Sequence, residues 1–192
     1  MSMSVVAKKT YQPDDLLKIV DGHRFELVDG KLVRRPMGTI SSWVGGILYA
    51  ALLEYCRTNR FGWVLHADAG FVCFPHRPGS VRYPDIAVIR YGRLPGEQLP
   101  EGHVTIAPDL AAEVVSPNEK AEELEGKVED YLAAGVSLVW VIYPQMRRAR
   151  VYYPDRSSVP VEPDATLSGE QVLPGFQVRL ANLFPPAAPA QP

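Results

Sequence analysis

Between Leu110 and Tyr143 the chain reads LAAEVVSPNEKAEELEGKVEDYLAAGVSLVWVIY. Residues 110–116 form an almost unbroken apolar run, which is typical of a strand buried on both faces. Residues 119–134 carry apolar side chains at helical spacing, and a second continuous apolar strand follows at Leu138–Tyr143. A strand, a helix and a strand in this order form a crossover unit, so we expect the two strands to lie parallel.

The remaining elements add antiparallel pairs to this unit. Asp29-Gly30 separates two short strand-like runs, 24–28 and 31–34, and is a typical tight hairpin turn. Helices are predicted at 11–20 and 41–57. The second has an apolar stripe of Trp43, Ile47, Leu48, Ala51, Leu52 and Tyr55. Further strands are predicted at 63–66, 69–74, 81–89, 148–153 and 173–180, and Pro84 suggests an edge or a bulge. The predicted fold class is α/β, a mixed central β-sheet flanked by helices.

Composition limits the kind of protein this is. The chain has 192 residues, of which 46% are hydrophobic, and we predict a single domain at 10–184 with flexible termini at 1–9 and 185–192. The net charge of −2 gives no overall attraction for a polyanion, so any nucleic-acid contact must be local. Two distant cysteines and the lack of a membrane-spanning or signal segment favour the reducing cytoplasm.

The strongest chemical signal is a set of acidic residues on predicted core strands. Glu113 lies within the apolar run, and Asp85 is followed directly by Ile-Ala-Val-Ile. Burying a carboxylate lowers the stability of the fold by roughly several kcal/mol, unless the carboxylate is paired or binds a metal. Two carboxylates at the ends of neighbouring strands are typical ligands of Mg²⁺, and Glu26 on the hairpin is a candidate third ligand.

Lys127 lies at the edge of the apolar stripe of the 119–134 helix, from which it could reach the acidic site. There it could stabilise developing negative charge. The acids of this region are expected mostly on its solvent side, namely Glu119, Glu122, Glu123, Glu125, Glu129 and Asp130.

Each of these residues also has a structural interpretation. Asp85 could simply end a turn after a proline. Glu113 could form a structural salt bridge, with Lys127 itself as the partner, and Lys127 could instead extend over the helix stripe to solvent. Glu26 could pair with Arg24 or Arg34 across the hairpin.

The chain resembles the Uma2 family of restriction-endonuclease-like proteins, within the PD-(D/E)XK nuclease superfamily, from residue 14 to 184. The landmarks, in this order and spacing, are Arg24-Phe-Glu-Leu-Val-Asp-Gly30, Tyr83-Pro-Asp-Ile-Ala-Val88, Pro108-Asp-Leu-Ala-Ala-Glu-Val-Val-Ser-Pro117, residues 127–135 and Leu173-Pro-Gly-Phe176. The resemblance implies a restriction-endonuclease-like fold. It also implies a metal site made by Asp85, Glu113 and the Val114 carbonyl.

One position departs from the superfamily pattern. The usual Glu-x-Lys reads Glu113-Val114-Val115 here, so valine occupies the lysine position. The resemblance implies that Lys127, from the following helix, supplies the lysine, and that Glu26 is the assisting acid of the first hairpin. Asp85, Glu113, Lys127 and Glu26 are therefore the expected catalytic residues.

The implied activity is metal-dependent endonuclease hydrolysis of DNA phosphodiester bonds, with Mg²⁺ as the cofactor and Mn²⁺ as the alternative ion. A homodimer is expected from the resemblance alone. Two other functions stay open: a catalytically silent module of the same fold that binds nucleic acid or protein, and a hydrolase of smaller phosphate esters.

Arg147-Arg148-Ala149-Arg150 is the one compact basic run of the sequence. Arg147, Arg148 and Arg150 are therefore the predicted contacts to a phosphate backbone, with a solvated hairpin as the alternative. No function is predicted for the four histidines, His23, His66, His76 and His103.

Overall fold

The computed structural model describes residues 10–186. The predicted flexible segment 1–9 lies outside the described residues, and of the predicted tail only residues 185 and 186 are described. The helices are α1 (Pro13–Leu16), α2 (Thr39–Thr58) and α3 (Ala121–Ala133), with single 3₁₀ turns at Gly22–Arg24, Pro95–Glu97 and Leu180–Leu183. The strands are β1 (Phe25–Val28), β2 (Lys31–Arg34), β3 (Gly62–His66), β4 (Ile86–Arg90), β5 (Leu110–Val114), β6 (Leu138–Tyr143), β7 (Arg148–Tyr152), β8 (Ser158–Val161), β9 (Thr166–Ser168) and β10 (Gln177–Arg179).

Six strands form the central sheet in the order β3-β4-β5-β6-β7-β8. β5 and β6 are parallel, as the crossover predicts, and all other neighbours are antiparallel. The α/β class with a mixed sheet is therefore confirmed. Helix α3 is followed by Gly135 with a φ of 92°, a left-handed conformation that glycine adopts without strain. The hairpin β1-β2 and the pair β9-β10 form two smaller sheets.

The central sheet is covered on both faces, and β5 shows how the faces differ. Its residues alternate, so that Ala112 and Val114 pack in the core layer that contains α2. Ala111 packs in the opposite layer, together with Val128 and Tyr131 of α3. Glu113 alternates with Ala112 and Val114, so its side chain points to the α3 face.

Three details of the sequence prediction are wrong. In the predicted stripe of α2 only Trp43 is wrong, because it is 50% exposed, whereas Leu48 and Leu52 are buried and Ile47, Ala51 and Tyr55 pack against the core. The buried Val44 and Cys56 were not predicted. Pro84 marks no edge strand, because it precedes β4, which starts at Ile86 inside the sheet. Residues 69–74 form no regular strand, since Phe71 makes only isolated pairings with Arg82 and Val104.

Both ends of the chain contain less regular structure than predicted. The helix predicted at 11–20 is only the single turn α1. Within 173–180, only β10 forms a strand, and it pairs with β9, which was not predicted, instead of joining the central sheet. Within residues 10–186, no helix combines the length and apolar character needed to cross a bilayer.

Candidate active site

The end of β5 and the start of β4 bring two of the predicted acids together. In the antiparallel register Ile86 lies opposite Ala112, so the preceding Asp85 falls opposite the following Glu113. The regular pairing stops there, and Asp85 Oδ2 accepts a hydrogen bond of 2.7 Å from the Val114 N–H. Asp85 is thus held by the backbone of the strand that carries Glu113.

The Val114 carbonyl lies on the same side of β5 as this hydrogen bond. Val115 donates its N–H to the Ile142 carbonyl on β6, at 2.9 Å. Backbone groups of successive strand residues point to opposite sides, so the N–H and the C=O of Val114 both point towards Asp85. The structure therefore brings together the three groups predicted to bind the metal: the Asp85 and Glu113 carboxylates and the Val114 carbonyl.

Helix α3 supplies the partners of Glu113. Lys127 and Tyr131 lie one turn apart on the same helix face. Lys127 Nζ donates to Glu113 Oε2 at 3.0 Å, and the Tyr131 hydroxyl donates to Glu113 Oε1 at 2.6 Å. Lys127 is only 6% exposed, so the interpretation that it extends to solvent is wrong. Lys127 therefore reaches Glu113 from α3, as the sequence indicated, while its role in a reaction stays a prediction.

Glu26 lies near Lys127, but its hydrogen bonds come from Arg82 and from the backbone of Tyr83. Arg82 Nη1 donates to Glu26 Oε2 at 2.8 Å, and the Tyr83 N–H donates to Glu26 Oε1 at 3.2 Å. Lys127 Nζ is 3.9 Å from Glu26 Oε1. Pairing of Glu26 with Arg24 or Arg34, the alternative suggested by the hairpin, does not occur.

Three site residues were missed in the sequence. Arg82 is buried and also donates from Nε and Nη2 to Asp130 Oδ2, at 2.8 and 2.6 Å. Glu119 has a buried side chain and accepts from Lys127 at 3.1 Å. The expectation that Glu119 and Asp130 face solvent is therefore wrong. A signal existed for Arg82, a lone charge between Val81 and Tyr83, and for Asp130, which lies one helical turn from Lys127.

The pKa values reflect an uneven distribution of charge. Burial raises the pKa of Glu113 to about 8; Lys127 opposes this shift, and Asp85 and Glu26 add to it. Burial also raises the pKa of Asp85, again against the effect of Lys127. For Glu26, Lys127 and Arg82 outweigh burial and lower the pKa. For Lys127, the carboxylates led by Glu113 outweigh burial and raise its pKa.

Among the described residues, this region holds five carboxylates that are fully or partly buried: Glu26, Asp85, Glu113, Glu119 and Asp130. Two buried cations, Lys127 and Arg82, face them, which leaves three negative charges. Arg77 approaches Asp130 from the surface at 3.2 Å and neutralises one more. Arg35 also acts on Asp85 and partly offsets the rise that burial causes in the pKa of that carboxyl, so the region carries a small net negative charge when all five carboxylates are ionised.

The oxygen atoms at the ends of β4 and β5 suit Mg²⁺ better than a metal that needs three or more protein side chains. Within residues 10–186, no three side chains of His, Cys, Asp or Glu converge to form a metal site. The candidate ligands are instead two carboxylates, Asp85 and Glu113, with the Val114 carbonyl. Mg²⁺ in proteins typically takes one or two carboxylates and keeps several waters, so these groups suit it.

Two cavities give access to this region. The larger, about 370 Å³, is lined by Asp85 and Val114, and the smaller, about 240 Å³, by Glu26 and Lys127. The segment Arg34-Arg35-Pro36 lines both cavities. The carboxylate site therefore lies beneath an arginine-containing segment that follows β2.

The basic run at β7 is not part of these cavities. Arg148 pairs with Glu162 at 2.9 Å, Arg150 donates to the Ser158 hydroxyl at 2.9 Å, and Arg147 lies over the Phe184 ring. Their role in nucleic-acid binding stays a prediction.

The arrangement of Asp85, Glu113 and Lys127 agrees with the family resemblance. The Uma2 family model, described as "Putative restriction endonuclease", matches residues 13–182. The chain belongs to the Uma2 family. A crystal structure from Anabaena variabilis, described as a "putative nuclease belonging to DUF820", has a TM-score of 0.75 and 22% identity, covering 90% of this chain and 97% of that one. This likeness shows a shared fold. The chain matches no curated protein.

Proposed function

We propose that this Uma2 chain is a metal-dependent endonuclease that hydrolyses phosphodiester bonds in DNA. One observation carries the proposal. Asp85 and Glu113 lie at neighbouring strand ends, in a region where buried carboxylates outnumber buried cations. Strongly shifted pKa values with a specific charge partner, beside a cavity, are typical of functional sites. Membership of the family supports a nuclease in general.

Each residue has a distinct part in this proposal. Asp85, Glu113 and the Val114 carbonyl would hold Mg²⁺, or Mn²⁺ as the alternative. The bound ion would activate a water and stabilise charge on the phosphate. Lys127, held as a cation by Glu113 and Glu119, would orient that water or stabilise the developing negative charge. Glu26 would act through Arg82 and Lys127 rather than as a ligand.

A calorimetric titration of Mg²⁺ into the wild type, Asp85→Asn and Glu113→Gln tests the metal site. We expect binding by the wild type and a large loss in both variants, because each removes one charged ligand. Asparagine can still accept the Val114 hydrogen bond, so a loss in Asp85→Asn reports on charge. No binding by the wild type, or equal binding by all three proteins, would contradict the proposal.

Cleavage of plasmid DNA tests the reaction itself. With Mg²⁺ or Mn²⁺ we expect cleavage by the wild type and none by Glu113→Gln. We propose a homodimer from the family resemblance, and light scattering would test it. We also propose a cytoplasmic location, from the two distant cysteines.

One observation favours a second function, a catalytically silent binding module. Both oxygens of Glu113 already accept hydrogen bonds within the chain, and Lys127 is bound by two carboxylates. The Glu113–Lys127 pair is the structural salt bridge that the sequence left open. If the wild type binds DNA and neither Mg²⁺ nor Mn²⁺ supports cleavage, this second function is the correct one.

A further inference from the structure

The open end of the β1-β2 hairpin presents three arginines beside the candidate site: Arg24, Arg34 and Arg35. We propose that these three side chains, named here the hairpin arginines, bind the phosphodiester backbone of the nucleic-acid substrate, and that the basic run at β7 does not. This inference rests on the proposed nuclease function, since it identifies the residues that hold the nucleic-acid substrate at the same site.

Strand pairing places the hairpin arginines together. Phe25 pairs with Arg34, and the Arg35 N–H donates to the Arg24 carbonyl at 2.9 Å. Arg24 ends the 3₁₀ turn that precedes β1, and it lines the larger cavity together with Arg34 and Arg35. Asp85 lines the same cavity, so the three arginines lie beside the candidate site.

Arg35 is fixed next to the strand that carries Asp85. Its guanidinium donates to the His23 carbonyl at 2.9 Å and to the Tyr83 carbonyl at 3.5 Å, and it lies 5.1 Å from the centre of the Tyr83 ring. Tyr83 precedes Asp85 by two residues. All of these hydrogen-bond and ring partners are neutral, and Arg35 forms no ion pair in the described part of the chain, although its charge acts on nearby Asp85 and partly offsets the rise that burial causes in the pKa of that carboxyl.

The other two hairpin arginines also keep their charge available. Within residues 10–186, Arg34 has no carboxylate within ion-pair distance, and Arg24 has only Asp21, at 3.8 Å and half exposed. By contrast, Arg148 of the β7 run is already paired with Glu162. An arginine without a carboxylate partner can bind a phosphate without first breaking an ion pair.

The cavities indicate where a phosphate would lie. Arg34 and Arg35 line both cavities, with Asp85 and Val114 in the larger one and Lys127 in the smaller. A nucleic-acid strand that crosses residues 34–36 would bring one of its phosphates between Arg35 and Asp85. Guanidinium groups bind phosphate oxygens with two parallel hydrogen bonds. Such contacts position a backbone and read no base sequence.

The test is the salt dependence of DNA binding, which counts phosphate contacts independently of cleavage. Binding of a short fluorescein-labelled DNA, as duplex and as single strand, is measured by anisotropy in an Asp85→Asn background. Arg34→Ala and Arg35→Ala are each compared with a triple control, Arg147→Ala, Arg148→Ala and Arg150→Ala. We expect the slope of log affinity against log salt to fall by about 1 for each hairpin arginine removed and to be unchanged in the control.

Arg34→Ala is the decisive variant. Its side chain makes no ion pair in the described part of the chain, so its loss should leave the fold intact, which thermal melting checks. The proposal is overturned if Arg34→Ala and Arg35→Ala keep the slope and affinity of the background, or if the β7 control alone lowers them.

The outcomes also separate this proposal from the proposed function. If the wild type cleaves DNA with Mg²⁺ while the hairpin variants bind like the background, only the hairpin proposal fails. If the wild type neither cleaves nor binds DNA, both fail.

Discussion

Two groups of buried charges meet helix α3, and they differ in how completely they are neutralised. In the first, named here the Arg82 cluster, Arg82 lies between Glu26 and Asp130, and Arg77 pairs with Asp130 from the surface at 3.2 Å, so that two cations face two carboxylates. The Arg82 guanidinium makes three hydrogen bonds of 2.6 to 2.8 Å to the two carboxylates. These pairs hold the pKa of Arg82 above its usual range, although burial opposes this, and lower the pKa of Glu26.

The second group, named here the Glu113 cluster, contains Asp85, Glu113, Glu119 and Lys127. One cation, Lys127, faces three carboxylates. Its charge cannot compensate the burial of both strand-end acids, so the pKa values of Asp85 and Glu113 are raised.

The difference separates structure from function. A buried charge pair with matched partners is part of the fold, because removing one partner leaves an uncompensated buried charge. A buried cluster with more carboxylates than cations must either keep a proton, as the raised pKa of Glu113 indicates, or carry excess negative charge at a cost in stability, and a bound cation would compensate for it. We therefore assign the Arg82 cluster to the scaffold and the Glu113 cluster to the chemistry.

The largest expected effect is the loss of stability when the Arg82 cluster is broken. Arg82→Met removes the buried cation shared by Glu26 and Asp130 and leaves them only Lys127 at 3.9 Å and Arg77 at 3.2 Å, so we expect the free energy of unfolding to fall by about 3–5 kcal/mol. Urea denaturation measures it. The matched control is Arg148→Met, which breaks an exposed pair with Glu162 and should cost no more than about 1 kcal/mol. Equal effects of the two substitutions would contradict the scaffold role.

The next effect concerns the rate of DNA cleavage. Lys127→Met removes the buried cation of the Glu113 cluster, and we expect the rate constant to fall by about 10²- to 10³-fold, the usual effect of losing one group that stabilises transition-state charge. Single-turnover cleavage at saturating Mg²⁺ measures it. Lys120→Met is the control, since this exposed lysine contacts only Glu123 in the described structure. Cleavage by Lys127→Met at the wild-type rate would show that Lys127 has no role in the reaction.

The smallest effect, taken per pH unit, is a fall in stability between about pH 4.5 and pH 8, which the raised pKa of Glu113 predicts. The Arg82 cluster contributes no such fall, because the lowered pKa of Glu26 makes stability depend on pH only below about 4.5. The raised pKa means that folded Glu113 keeps its proton up to about pH 8, whereas the unfolded chain loses it near 4.5. Between these values the folded state binds more protons, so stability falls as pH rises, by at most about 1.4 kcal/mol per pH unit from this group. Above about pH 8 the contribution is constant.

Chemical denaturation without metal, at several pH values, measures this slope. Glu113→Gln cannot titrate at this position, so the decline should be smaller in that variant, and saturating Mg²⁺ should reduce it in the wild type. A slope that is the same in Glu113→Gln and the wild type would mean that Glu113 is not the titrating group.

Much of the fold could be predicted because its signals are local. The hairpin turn at Asp29-Gly30, the end of α3 at Gly135 and the apolar strands β5 and β6 each depend on neighbouring residues. The parallel pairing of β5 and β6 follows from the crossover rule alone. Most of the predicted α2 stripe packs in or against the core, and Trp43 was assigned to it wrongly because this helix is apolar on most sides, so that Trp43 and Val44 fit almost equally well by pattern.

The candidate site was predicted in part, for a related reason. Glu113 and Lys127 stand out because each is a charge beside an apolar pattern, and the structure places them 3.0 Å apart. Glu119 belongs to a segment where charges are common, so pattern alone does not mark it as buried. Arg82 and Asp130 carry a sequence signal, but the pattern does not indicate which residues would be their partners. Their burial depends on contacts between residues far apart in the chain, such as the pairing of Arg82 with Glu26.

By itself, the sequence determined the α/β class and the parallel crossover. It also identified the acidic residues of the core strands, whose burial requires a charged partner or a metal. These follow from periodicity and from the cost of burying charge, which act on short segments. Only the tertiary structure decided which cation neutralises which carboxylate, because that depends on the packing of α3 and the β1-β2 hairpin against the sheet. The same packing leaves the Arg82 cluster matched, the Glu113 cluster with excess negative charge, and the hairpin arginines beside it.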